Sequence, residues 1–129
     1  FAQLEETFKD DPLYYLLRGQ LMETDDPFTA LKYYAKSAEL DHSYFEAWYS
    51  TGALYFALGS QYRALAQKGG SHQSDYQKNA SELFRTGFPF MRKAHELKPD
   101  DAYVIESLYQ VARLLNLKNE EAYFAKLLN

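Results

Sequence analysis

Two stretches of this chain share one spacing, 34 residues apart: Tyr14-x-x-Leu17-Arg18-x-x-Leu21 and Trp48-x-x-Thr51-Gly52-x-x-Tyr55. A period of that length is one helical hairpin per unit, and a hairpin that cannot bury its apolar face alone stacks on the next. The expected fold is therefore all-α, built of stacked antiparallel helical hairpins. With 129 residues, 47% of them hydrophobic, the chain can bury one core, so residues 1–129 read as a single domain.

Punctuation supports the same layout. Asp11-Pro12 and Asp26-Pro27 each place a capping residue before a proline at the first helical position, where the missing N–H has no intrahelical partner anyway. Leu13, Leu16, Leu17 and Leu21, then Ala30, Leu31, Tyr34 and Ala38, follow at helical spacing and read as the first hairpin. A third helix starts near Ser43, with Trp48 as a core ring beside the small residues Ala47, Thr51 and Gly52. Helical spacing also continues on both sides of Gly69-Gly70, through Tyr55, Leu58, Tyr62 and Leu65 and again through Tyr76, Ala80, Leu83 and Phe84. From Trp48 to Pro99 is 51 residues where an uninterrupted unit needs 28, so 23 are extra. Shared between two antiparallel helices, they make an arm over about 60–86, each helix lengthened by roughly 11 residues or ~17 Å. Pro89 should kink the returning helix near Gly87-Pro89. Beyond Pro99-Asp100-Asp101 a helix carries Ile105, Leu108, Tyr109, Ala112 and Leu115. Asn119 is the expected cap of a last helix with Ala122, Tyr123, Ala125 and Leu128. Phe1 to Lys9 reads as the last turns of a preceding helix with Leu4 and Phe8 on one face.

The series Trp48, Thr51, Gly52, Tyr55, Gly59 and then Gly87, Met91, Ala94 and Pro99 resembles the tetratricopeptide signature Trp-x2-Leu-Gly-x2-Tyr, Ala-x3-Phe, Pro. The resemblance spans about residues 11 to 129. With the arm, the Phe88-Pro89-Phe90 turn of sequence and Glu96-Leu97-Lys98-Pro99-Asp100-Asp101, it is similar to repeat proteins of the Bacteroidetes type. Departures are Arg18 for a small residue, Thr51 for leucine, and His42 where proline is usual. The resemblance implies a short right-handed superhelix of about three repeats, near 11–42, 43–99 and 100–129. It also implies a concave groove on the inner helices. Carried onto matching positions, the groove comprises Tyr15, Glu46, Tyr49, Ala53, Phe56, Tyr103, Glu106, Gln110 and Arg113. Some members clamp a terminal carboxylate with Lys, Arg and Asn; here the matching places hold Tyr15, Gly19, Ser50, Tyr103 and Ser107, so no such clamp is expected. The implied function is a non-enzymatic interaction module whose aromatic groove takes an apolar or mildly basic peptide or helix of another protein. The alternative is an accessory subunit of a larger assembly, such as one of the cell envelope, docking through the arm or through Tyr123, Phe124 and Leu127.

The remaining features narrow partners and chemistry. A net charge of -4, with 18 acidic against 14 basic residues and no basic run, argues against nucleic acid as a partner. No cysteine means no disulfide, thiolate nucleophile or thiolate metal site. No apolar run nears the ~20 residues of a membrane helix. The chain starts at Phe1 and so reads as processed or as a fragment. Phe1-Ala2-Gln3 fits the remnant of an export signal, which leans the expected location toward the periplasm of a Gram-negative bacterium. His95-Glu96 opens like a zinc-protease helix, but Pro99 occupies the second ligand site; His42 and His72 stand apart. Gly69-Gly70-Ser71 lacks the lysine of a phosphate loop. Asn79-Ala80-Ser81 is a formal glycosylation acceptor inside a helix. Glu23, Asp25 and Asp26 lack calcium-loop spacing. No active site, cofactor or metal is expected.

Overall fold

The computed structural model describes residues 2–129, which form helices and turns and no strand; Phe1, at the edge of the first predicted segment, lies outside them. Seven helices follow in order: α1 (Ala2–Phe8), α2 (Pro12–Met22), α3 (Pro27–Leu40), α4 (Phe45–Gln67), α5 (Gln73–Leu97), α6 (Ala102–Leu114) and α7 (Lys118–Leu128). The starts follow the capping chemistry. Asp11 accepts from the Leu13 amide at 2.9 Å, Asp26 from Thr29 at 3.2 Å, and Asp101 from Val104 at 3.1 Å. By contrast α4 and α7 start after Tyr44 and Leu117 with no side-chain cap. Ser43 instead closes a turn on the Asp41 carboxylate, and Asn119 lies inside α7 rather than capping it.

Helices pair as α2 with α3, α4 with α5 and α6 with α7, and α3–α4 and α5–α6 contacts join the pairs in series. Helix starts set the register between the first two pairs. Counted from the N-caps Asp11 and Tyr44, Tyr15 falls in line with Trp48 and Gly19 with Gly52, a spacing of 33 residues. Tyr15, not Tyr14, is therefore the counterpart of Trp48. Both glycines mark close approaches: a Cβ on Gly19 would lie 2.4 Å from the Tyr34 ring, and one on Gly52 would lie 2.9 Å from the Met91 backbone nitrogen. Slipping the register by one moves the leucines. Leu16 is buried, while Leu13, Leu17 and Leu21 are exposed, Leu21 at 71%.

Two apolar clusters result. One joins Leu16, Ala30, Leu31, Tyr34, Leu54 and Leu58 across α2, α3 and α4. The larger runs from Phe56, Phe84, Phe88 and Met91 to Val104, Leu108, Ala112 and Phe124. Trp48 is half-buried at the edge of the larger cluster and donates its indole N–H to the His42 carbonyl at 2.9 Å. α5 is helical straight through Pro89, which lies on its exposed side, so the Arg85 carbonyl that loses its partner there is on a wet face. α6 ends on Asn116 in the left-handed region, φ 57°, with Leu117 N–H bonded to Ala112 O at 2.9 Å and Asn116 N–H to Arg113 O at 3.2 Å. That pair of bonds is a Schellman closure, in which the hydrophobic Leu117 packs back on the core.

Candidate interaction surface

The residues assigned to a groove divide by burial. Tyr15 and Phe56 are 5% and 8% exposed, which makes them packing residues. Tyr15 is packed within its own hairpin, its ring stacked 6.3 Å from that of Tyr33 on α3. Tyr49 and Ala53 are half-buried against the larger cluster, and Tyr49 stacks on Phe45 with ring centres 5.6 Å apart. Lys98 Nζ lies 4.2 Å above Phe45 and 3.8 Å from the Glu46 carboxylate. Both ends of that ion pair are half-exposed, so water screens it and its contribution to stability is small.

On α6, Tyr103, Glu106, Gln110 and Arg113 recur every three to four residues and stand exposed on one stripe, Tyr103 at 80%. Gln110 donates to Glu106 at 2.9 Å, and the Arg113 guanidinium lies 5.7 Å from the Tyr109 ring centre. The α4 and α6 stripes together carry two tyrosines, two carboxylates, one amide and one guanidinium.

The first hairpin carries a different cluster. Arg18 donates to the hydroxyls of Tyr14 and Tyr33 at 2.8 and 2.7 Å and lies 4.6 Å above the Tyr33 ring. Ser37 donates to the Pro12 carbonyl at 2.7 Å, and the buried Tyr34 hydroxyl donates to Glu23. Burial first, and then the Glu23 carboxylate, push the Tyr34 hydroxyl far above its ordinary pKa.

Three further features escaped sequence reasoning. A cleft of about 480 Å³ lies where α4 and α5 pass the end of α6, lined by Arg63, Gln67, Gln73, Gln77 and Ser81 over Ala66, Ala80 and Phe84. The readable signal was Arg63 and Gln67 one turn apart before Gly69-Gly70, and Gln73, Gln77 and Ser81 at one-turn steps after it. A second cleft of about 390 Å³ lies between α5 and α7, where His95 meets the edges of the Tyr123 and Phe124 rings at 6.3 and 5.5 Å. His95 Nδ1 is buried there without a hydrogen-bond partner. Phe124, read as an exposed docking residue, is 2% exposed and belongs to the core; Tyr123 and Leu127 beside it are exposed.

Among the described residues no three His, Cys, Asp or Glu side chains are grouped to hold a metal ion, and no helix is long and apolar enough to cross a membrane. No protein-family model matches the chain, and a search of curated proteins finds no match.

Proposed function

We propose that this chain is a tetratricopeptide-like interaction module of about three repeats, the second bearing the arm, which holds a peptide or helix of another protein without catalysing a reaction. One observation carries the reading: serial packing of each helix on its chain neighbours leaves Tyr103, Glu106, Gln110 and Arg113 unburied on α6, and leaves Glu46 exposed and Tyr49 half-buried on α4. Tyrosine with one wet face gives contact area at low entropic cost, which suits recognition of a peptide. Glu46 and Glu106 favour an apolar or mildly basic segment, while Arg113 can meet one acidic group at its end.

The test is affinity capture from an extract of the source organism, comparing the native chain with Tyr103→Ser. That position is solvated, so the substitution should change stability by no more than about 0.5 kcal/mol. Loss of a captured protein with Tyr103 supports the α4–α6 surface; equal capture by Tyr103→Ser and by a folded Tyr49→Ala variant would sink it. A second reading, docking of an accessory subunit through the C-terminal face, is favoured by the exposure of Tyr123, Leu127 and Leu128 on α7.

A further inference from the structure

The arm has two chemically distinct sides. Lys68, Asp75, Lys78, Glu82 and Arg85 do not line the 480 Å³ cleft. The side that does line it carries Arg63 and Gln67 one turn apart on α4, and Gln73, Gln77 and Ser81 at one-turn steps on α5. Buried Ala66, Ala80 and Phe84 form the floor, and Leu114 and Leu115 close the end against α6. The two alanines make the corner deep, since any larger side chain there would fill it.

The long polar side chains of the lining are solvent-exposed and not tied to the chain. Arg63 has no acidic partner within the described residues, and the side-chain amides of Gln67, Gln73 and Gln77 make no hydrogen bond to the chain. Gln110, in contrast, is held by Glu106. A glutamine amide offers a donor pair and an acceptor, the same groups as a peptide unit, so Gln67 on one side and Gln73 and Gln77 on the other can match the alternating N–H and C=O edge of an extended chain. Arg63 is the sole ion in the lining, in a chain of net charge -4, and a lone guanidinium pairs best with a carboxylate. The volume lies within the range of ordinary ligand clefts, ~300–1,000 Å³.

We propose that this corner is a second binding site, for an extended peptide segment bearing a carboxylate: the glutamine amides hold the backbone and Arg63 holds the acid. None of the exposed α4–α6 residues lines it, so either site can fail alone.

The test uses the whole chain labelled with nitrogen-15 and three capped probes: Ac-Ala-Ala-Asp-Ala-Ala-amide, its Asn counterpart, and Ac-penta-Ala with a free C-terminal carboxylate. Titration followed by NMR should move the side-chain amide signals of Gln67, Gln73 and Gln77, with a Kd on the order of 1 mM for a carboxylate probe. The Asn peptide should bind about fivefold more weakly, the size of effect a solvated ion pair supplies. Which acidic probe binds more tightly decides whether a side chain or a chain end is read. Arg63→Gln should leave the spectrum folded and erase the Asp–Asn difference. Binding of both carboxylate probes no tighter than the Asn probe, shifts confined to the α6 stripe, or no shift in these amides at ~10 mM probe would each overturn the proposal.

Discussion

The base and the arm of the long hairpin are the same two helices, yet they are held in different ways. At the base, Ala47, Thr51, Gly52 and Leu54 of α4 and Phe88, Met91 and Ala94 of α5 are all buried, with neighbouring hairpins on either side. Along the arm burial thins to Ala66, Ala80 and Phe84, and most other side chains are wet. Isolated helices are marginal in water because their stability comes mainly from a packed face. The arm therefore owes its order to the base, while its polar rows stay available to a ligand. The dense packing and the amide-lined corner sit at opposite ends of one element.

Paired glycine substitutions should separate the two ends most clearly. At Gly52 a new Cβ meets the Met91 backbone at 2.9 Å, and backbone inside a packed helix cannot step aside. At Gly59 it meets the Phe84 ring at 2.8 Å, which can turn toward the thinner packing of the arm. Overpacking costs about 1–3 kcal/mol, against which alanine regains about 1 kcal/mol of helix propensity. Gly52→Ala should lower the urea midpoint clearly, and Gly59→Ala should leave it near the native value. Equal losses would mean the arm is packed as rigidly as the base.

The first hairpin extends the contrast, because Tyr34 fills the space over Gly19 that Met91 fills over Gly52, but with a titratable group. Its folded pKa is raised above the ordinary 10.0 by burial and by Glu23, so the unfolded chain loses the proton first as pH rises. The stability tied to the neutral phenol is complete below pH 10 and falls above it. Burial raises Tyr15 and Tyr44 in the same direction. Tyr34→Phe should cost about 1 kcal/mol at pH 7, for the hydrogen bond to Glu23, and should flatten the alkaline decline of the thermal midpoint. An unchanged slope would remove Tyr34 from the pH response.

How much of this was legible depended on whether a residue type carries its own geometry. Asp11-Pro12, Asp26-Pro27 and Asp101 announce helix starts because capping needs a short acceptor beside the first free amides. Gly69-Gly70 announces the turn because both need positive φ, 78° and 98°. The run Tyr14-Tyr15-Leu16-Leu17 announces nothing by itself, since four adjacent apolar residues fit two registers, and only the contact of Gly19 with Tyr34 selects one. The exposed stripe Tyr103, Glu106, Gln110 and Arg113 follows from helical period alone. The burial of Tyr15 and Phe56 does not, because it depends on which neighbour each faces. The amide-lined corner was illegible for a related reason: Leu114 and Leu115, which close it, are far from Arg63 in sequence and reach it only through tertiary packing.

The smallest expected effect probes whether arm and base unfold together. Gly69 sits at φ 78°, and a Cβ added there would find no atom within 4 Å, so Gly69→Ala meets no neighbour and acts through the backbone alone. Holding an L-residue in that region costs about 1–2 kcal/mol. If the arm opens without disturbing the base, this strain is relieved by fraying around the tip, and the global urea midpoint stays within error. Amide exchange between Leu65 and Tyr76 should then accelerate about tenfold while exchange at Met91 and Leu108 is unchanged. Should the global midpoint fall by the full strain, with exchange in the base rising alongside, the hairpin is one cooperative unit. The arm would then transmit whatever it binds directly into the core that holds the α4 and α6 stripes.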